Sequence, residues 1–333
     1  MHYLVIGGAG YIGSHFIREA LEQGHQCTAY DNLSLGHRAA ISKECSLIEA
    51  DLLDSKALED AIDKVNPDAV LHFAAFALVG ESVKSPAKYY ENNVEGVRGL
   101  LEVLRNHKKN IPLIFSSTCA VFGEPKSLPI REDDPKTPMS PYGRSKLMSE
   151  YLIEDYANAY GLKAIALRYF NACGAHESGD IGEDHQPESH LIPNVIKAAL
   201  KGEQLHIFGN DFDTPDGTCV RDYIHVKDLA IAHIKAAELL AREQAPYYNV
   251  FQLGTGQGYS NLEILNAVGE LLGGKIDYDF ADRRAGDPPA LYTATDKARD
   301  VLGFETEYSD LSHIIKTAHA WHKKSPNGYS NDL

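Results

Sequence analysis

The order of residues predicts a doubly wound α/β fold, a parallel sheet buried on both faces, with a second, smaller α+β lobe. Three observations carry that expectation. Short apolar or β-branched runs at residues 2–6, 26–30, 46–50, 69–73 and 112–117 alternate with segments of helical period at 12–23, 56–65 and 86–106. The strand runs are apolar throughout instead of alternating, as strands covered on both faces must be. The stretches between most of them are long enough for the helical crossovers that parallel neighbours require.

Taken in order, the first run leads into Gly7-Gly8-Ala9-Gly10-Tyr11-Ile12-Gly13, and the next helical segment follows at once. The second run ends on Asp31 and the third is followed by Asp51-Leu52. A helix at 142–160 and a strand at 163–169 extend the same alternation. After Asn171 the texture changes, with Gly, Asp, Glu, His and Pro crowding residues 174–193. A helix at 191–200, a short strand at 205–208 and long loops follow. This places a boundary near residue 170, dividing 1–170 from 171–333. Segments 221–237 and 247–253 read as a further strand, helix and strand, so parts of 218–255 are expected to rejoin the first sheet.

Composition narrows the function. The chain has 333 residues, 44% hydrophobic and 24% charged, too apolar for disorder and enough for a large core. Lys and Arg total 32 against 47 Asp and Glu, a formal charge of −15. That balance argues against a nonspecific grip on nucleic acid or anionic lipid, so an anionic ligand needs a local basic pocket. The longest apolar stretch, 69–80, contains His72 and falls short of the roughly 20 residues that span a bilayer. The first residues lack the basic region of a secretory signal. Five scattered cysteines without a C-x-x-C imply reduced thiols and a cytoplasmic setting.

The glycine segment reads G-x-x-G-x-x-G. Glycines let a backbone turn tightly and approach a pyrophosphate, whose charge then sits at a helix N-terminus. The triplet alone is shared with ordinary turns. Asp31 adds to it: a carboxylate at the end of the second strand, 18 residues after Gly13, accepts hydrogen bonds from adenosine ribose hydroxyls and repels a 2′-phosphate. An Asp starting a turn with Asn32 is the competing reading. Strand, turn, helix, strand and acid in sequence favour a dinucleotide, NAD over NADP. Asp51 and Leu52 are placed to flank the adenine.

The chemistry is sought at Ser140-Pro141-Tyr142-Gly143-Arg144-Ser145-Lys146, where Y-x-x-x-K opens a helix and sets phenol and ammonium on one face. In isolation such a pair is an ordinary solvated contact. Ser116-Ser117-Thr118 closes the strand at 112–117, at the sheet edge where ligands bind in such folds. A phenol of reference pKa about 10 needs about 4 kcal/mol to reach about 7. A cation about 4 Å away offers about 4 kcal/mol at an effective dielectric of 20. Lys146 and a positive nicotinamide are therefore expected to lower Tyr142 into an acid/base range, with the Thr118 hydroxyl on the same substrate oxygen.

These features together resemble the extended short-chain dehydrogenase/reductase superfamily, and within it nearly the whole chain is similar to the UDP-glucose 4-epimerase (UDP-galactose 4-epimerase) family. The similarity runs through residues 7–14, 31–33, 72–74, 79–82, 89–94, 140–148, 167–174, 208–211, 216–218, 220–226 and 283–287. It implies a Rossmann-like NAD-binding domain at 1–170 and a UDP-sugar-binding lobe at 171–333. It also implies a tightly held NAD, oxidation of the sugar at C4 with Tyr142 as acid/base, and return of hydride to the other face. Gly7, Gly10, Tyr11, Ile12, Gly13, Asp31, Asn32, Asp51, Leu52, Phe73, Ala74, Asn92, Ser116, Tyr142, Lys146 and Tyr169 would hold the cofactor. Thr118, Tyr142, Asn171, His190, Leu191, Ile207, Phe208, Arg221, Arg284, Asp287 and Leu291 would hold the UDP-sugar, the two arginines supplying the basic pocket. The long helices at 86–106 and 142–160 would pair with a second copy in a homodimer.

Nucleotide-sugar 4,6-dehydratases in the superfamily follow the equivalent Thr with an Asp-Glu pair. Here Cys119, read as a small buried residue, and Ala120 stand there, which disfavours water elimination. Ala77 stands where many epimerases carry a Lys, and His190 where an Asn is frequent. Leu291, intermediate in size at a position associated with sugar choice, implies some turnover of a 2-acetamido sugar. Alternatives are a 4-epimerase of UDP-N-acetylhexosamines or UDP-pentoses, and a non-catalytic nucleotide sensor. His176, His185 and His190 match no compact zinc spacing, so no metal is expected.

Overall fold

The apolar strands of the large sheet serve two cores at once, and that fixes the layering. The computed structural model describes residues 1–284 and 286–330; Ala285, within the 283–287 block, and residues 331–333 lie outside the described residues. The first lobe runs β1 (His2–Ile6), α1 (Tyr11–Glu22), β2 (Gln26–Asp31), β3 (Ser46–Glu49), α2 (Ser55–Val65) and β4 (Ala69–His72). It continues through α3 (Val79–Lys84), α4 (Pro86–Tyr90), α5 (Gly96–Asn106), β5 (Leu113–Thr118), α6 (Pro141–Tyr160) and β6 (Lys163–Tyr169). Then follow β7 (Asn171–Cys173), α7 (Leu191–Lys201), β8 (Leu205–Phe208), β9 (Val220–Arg221), β10 (Tyr223–His225), α8 (Val226–Arg242) and β11 (Tyr247–Leu253). The chain closes with β12 (Tyr259–Ser260), α9 (Asn261–Leu272), β13 (Tyr278–Ala281), β14 (Ala290–Leu291) and α10 (Leu311–Lys324).

Seven strands form one sheet in the order β11-β6-β5-β4-β1-β2-β3, every pair parallel. This is the doubly wound arrangement expected, including the return of β11 beside β6. In β1 the period of two sends Tyr3 and Val5 to one core and Leu4 and Ile6 to the other. On the first side Phe16 and Ile17 of α1 meet Leu229 and Ile234 of α8. On the second, Leu58 and Ile62 of α2 join Leu100 and Leu104 of α5 and Ile153 of α6. Each such side chain contributes about 1.5–3 kcal/mol on burial. The second lobe builds a separate core from Ile192, Ile196, Ile207, Val268 and Ile314 around short strand pairs.

One element departs from expectation. The helix read at 86–106 is interrupted by a π-turn at Glu91–Glu95 between α4 and α5. The widened turn lets the buried Asn93 side chain accept from Phe76 N (3.0 Å), donate to Phe76 O (3.0 Å) and donate to Ser145 Oγ on α6 (3.1 Å). The irregular turn thereby ties the loop after β4 to the helix carrying Y-x-x-x-K.

Candidate active site

The chain order reverses direction across the sheet between β1 and β4, and the crevice lies at their C-terminal ends. Gly7 has φ +78°, and a Cβ there would fall 2.5 Å from Ala74 N. At Gly13 a Cβ would lie 2.2 Å from Gly7 O, so the turn closes only with glycine at both. Gly10 caps α1, leaving the N–H groups of the first helical turn, at Tyr11, Ile12 and Gly13, without intrahelical acceptors. A cleft partly open to solvent is lined by Gly7, Gly10, Asp31, Asn32, Asp51, Leu52, Phe73, Ala74 and Asn92. Nine of the expected cofactor residues thus meet in one place.

Asp31 does more than the motif suggests. Its Oδ2 accepts from Ala9 N (2.9 Å) and its Oδ1 from Leu33 N (2.8 Å), so it also braces the glycine turn from below. Burial raises its pKa, opposed by these two bonds. Each oxygen keeps a second acceptor direction. Asn32 donates to Asp51 Oδ2 (2.7 Å), joining the ends of β2 and β3 at the cleft rim.

The reactive edge stands at the end of β5. Ser140 caps α6 by accepting from Gly143 N (3.1 Å), and Pro141 presets the first helical position. A Cβ on Gly143 would lie 2.5 Å from Ala120 O, so the helix start approaches the strand end closely. This sets Tyr142, at the start of α6, against the end of β5, where Thr118 Oγ1 accepts from Ala120 N (3.1 Å). Lys146 is buried and donates to Ser116 O (2.8 Å). Tyr169, at the end of β6, pairs across the sheet with Thr118 at the end of β5. Cys119 is only half-buried, contrary to expectation, because it sits at the rim of this edge; burial of the thiol still pushes its pKa up to about 12.

The expected lowering of the phenol includes the charge of a bound nicotinamide, and in the protein alone the shift runs the other way. Burial, then the neighbouring Tyr169, drives Tyr142 well above 10, opposed by the nearby Thr118 hydroxyl. Burial pulls Lys146 down to about 7, opposed by Glu150. Desolvation outweighs the pairwise charges when the cofactor's positive charge is not counted. Burial thus favours the neutral phenol in the cofactor-free chain, and the phenolate that a base requires depends on the positive charge of bound NAD together with Lys146.

The second lobe gathers the expected phosphate and uridine groups less tightly. Arg221 Nη2 lies 3.8 Å from Asp287 Oδ1, and the Arg284 guanidinium lies 4.1 Å over the Phe208 ring. Arg283 pairs instead with Asp211 and covers Phe212. Asn171 donates to Asp222 O (2.9 Å). Ile207 is buried beneath this group, with Leu191 packed on the same core. Leu291 packs with Val121, Phe122, Ile130 and Phe170, between the lobes. His190 caps α7, its Nδ1 held by Glu183 (2.7 Å) and Glu188 (3.1 Å). Ahead of burial's opposing pull, these two carboxylates hold its pKa up to about 10.

The sequence reading missed the layer behind the reactive edge. Glu150, two turns beyond Tyr142 on α6, accepts from Ser117 Oγ, Arg168 Nε (2.9 Å) and Arg168 Nη2 (2.5 Å). Its i, i+4, i+8 spacing from Tyr142 and Lys146 was the available signal. Ser116 Oγ meets His233 Nε2 of α8 at 3.1 Å, a contact without local pattern.

Comparison with known proteins agrees with this geometry. The profile of the NAD dependent epimerase/dehydratase family matches residues 3–254. UDP-glucose 4-epimerase of Lactobacillus helveticus is 46% identical over 332 residues, 99% of this chain and 100% of that one. The structure of UDP-glucose 4-epimerase from Brucella ovis in complex with NAD is similar with a TM-score of 0.91 and 49% identity, covering 96% of this chain and 97% of that one. That of Bifidobacterium longum UDP-glucose 4-epimerase in complex with NAD+ and UDP has a TM-score of 0.93 and 37% identity over 99% and 100% of the two chains. The chain therefore belongs to the NAD dependent epimerase/dehydratase family. Within that family it stands with the UDP-glucose 4-epimerases, an NAD-dependent isomerase group.

Proposed function

We propose that this chain interconverts UDP-glucose and UDP-galactose by NAD-dependent epimerisation at C4, with Tyr142, Thr118 and Lys146 as its reactive group. The observation that carries the residue assignment is the docking of the α6 start on the end of β5, with Lys146 Nζ on Ser116 O (2.8 Å) and Gly143 closed against Ala120 O, which sets Tyr142 beside the strand end that carries Thr118. The cleft fits NAD because glycine is sterically required where the pyrophosphate would approach, and because Asp31 keeps acceptor capacity at its floor. Bound NAD supplies an acceptor for hydride from C4 and a donor for its return.

The protein's own groups do the rest. Thr118 holds the 4-oxygen, and Tyr142 takes its proton as the carbon is oxidised, then gives the proton back. Lys146, anchored on Ser116 O, stands near that exchange and the cofactor ribose, where its ammonium would stabilise the phenolate. Ser116 and Tyr169 close the nicotinamide end. Tyr11, Ile12 and Gly13 present N–H groups to the pyrophosphate, while Asn32, Asp51, Leu52, Phe73, Ala74 and Asn92 shape the adenosine side. Asn171, His190, Leu191, Ile207, Phe208, Arg221, Arg284, Asp287 and Leu291 hold the UDP-sugar. Remote binding through the nucleotide lets the keto sugar turn without escaping.

We read residues 1–170, with β11 and the α8 region rejoined, as the cofactor lobe and the remainder of 171–333 as the UDP-sugar lobe. Homodimerisation through α5 and α6 is favoured by the exposed Met148 and Tyr151 on α6. A cytoplasmic setting agrees with the five unpaired cysteines. No described helix is long and apolar enough to cross a membrane. Incubating the purified protein with UDP-galactose and no added cofactor is expected to give UDP-glucose, with NAD released on denaturation. Absence of UDP-glucose, even after NAD is supplied, would overturn the reading.

A further inference from the structure

Away from the reactive edge, the loop between β7 and α7 brings four donors to one point. The donor atoms of Glu183, His185, Glu188 and His190 all lie within 4.8 Å of one another. Glu183 Oε1 is 2.7 Å from His190 Nδ1 and 3.1 Å from His185 Nδ1. Glu188 Oε1 is 3.1 Å from His190 Nδ1 and 4.0 Å from His185 Nδ1. We propose that these four side chains form a binding site for a divalent transition-metal cation, zinc by donor chemistry.

The geometry suits such an ion. Tetrahedral zinc with bonds of about 2.0–2.2 Å holds its donors about 3.3–3.6 Å apart, and the four distances here straddle that spacing. Two imidazoles with two carboxylates select a borderline cation over magnesium or calcium, which take oxygen donors. A second observation points to a missing partner. The Glu188 side chain is 7% exposed, yet its Oε2 has no hydrogen-bond donor among the described residues, the Lys197 ammonium standing off at 3.7 Å. Glu183, 3% exposed, is likewise out of water, so both carboxylates of the cluster are set to take a cation at close range. The side chains of His185 and His190 are 34% and 43% exposed, which leaves a path for entry. His176 stays outside, engaged with Glu22 and Ser178.

The position suggests what the ion would do. Glu183 O accepts from Trp321 Nε1 of α10 (3.0 Å), and the His185 ring meets Tyr11, the first residue of α1, edge to face with centroids 6.2 Å apart. A bound cation would clip this loop of the second lobe against the start of the cofactor helix. Both carboxylates contact His190 through Nδ1, so its Nε2 stays available to the substrate.

The test uses the NAD-loaded full chain, stripped with a chelator and titrated with zinc chloride against a chromophoric competitor. One zinc per chain is expected, with X-ray absorption giving N/O neighbours at about 2.0–2.1 Å and no sulfur. Glu183→Gln and His185→Ala should each weaken zinc at least tenfold; His185 is partly exposed, so its removal tests the site without threatening the fold. Failure of the parent to bind zinc stoichiometrically would overturn the proposal. So would equal zinc affinity in parent and both variants, which would place the ion on other histidines. Neither result depends on epimerase turnover, so the proposed function stands or falls separately.

Discussion

Replacing Arg168 by Met should cost this protein far more than the loss of one ion pair at its surface. Arg168 and Glu150 have side chains only 4% and 3% exposed, and the guanidinium gives Glu150 two hydrogen bonds. Without it the carboxylate keeps Ser117 as its hydroxyl donor and remains buried. Removing one partner of such a pair costs about 3–5 kcal/mol, because the remaining charge is uncompensated. At about 2.1 cal/mol/K of unfolding entropy per residue, that lowers the melting midpoint of the NAD-loaded chain by about 4–7 °C. Arg131→Met, which breaks a half-exposed pair with Asp296, should shift it by at most about 1 °C. Glu150→Leu added to Arg168→Met should recover much of the loss, since no buried charge remains. Turnover should stay depressed in the double variant, because Ser117 beside Thr118 loses its acceptor and Lys146 its nearest anion. Scanning calorimetry on the four proteins reads the stabilities, and a UDP-galactose turnover assay reads the activity. An Arg168→Met shift as small as that of Arg131→Met, or a double variant less stable than Arg168→Met, would refute the reasoning.

Tyr142→Phe should keep its NAD, measured after denaturation, while kcat falls about 10²–10⁴-fold for want of the proton carrier; undiminished turnover would remove Tyr142 from the role. Gly13→Ala, whose Cβ would meet Gly7 O at 2.2 Å, should yield protein purified with little NAD, and full NAD content would contradict the steric argument. Lys146 supplies a pH signature in the cofactor-free chain. Its ammonium is pulled by burial from 10.5 down to about 7, so the fold bears the charge's cost below pH 7. Between about 7 and 10.5 the unfolded chain holds a proton the folded chain has shed, and stability rises with pH. Against Lys146→Met in urea titrations, the parent should therefore gain on the variant as pH rises through that window. A parent that loses ground there would invert the sign.

What could be read from residues alone was what repeats locally. The apolar run of β1 announced a strand buried twice, and its glycines, with Asp31 18 residues after Gly13, announced the crevice. The pair Tyr142 and Lys146 announced a shared helical face, although not the burial that raises the phenol and lowers the ammonium in the cofactor-free chain. The π-turn at 91–95 was hidden because its cause is distant: Asn93 is held by Phe76 and Ser145 from other elements. The Glu150–Arg168 pair joins a helix to a strand 18 positions on, and no propensity marks it. The Glu183, His185, Glu188 and His190 group escaped a spacing rule applied to histidines alone, since half of its donors are carboxylates.

The central claim is that hydride leaves the sugar C4 for a resident cofactor and returns to the same carbon. UDP-galactose carrying deuterium at C4, turned over by the purified protein in ordinary water with unlabelled NAD in excess, tests it directly. The account predicts UDP-glucose that retains the deuterium at C4, with none appearing in solvent or in the added NAD pool. Label lost to either would contradict it.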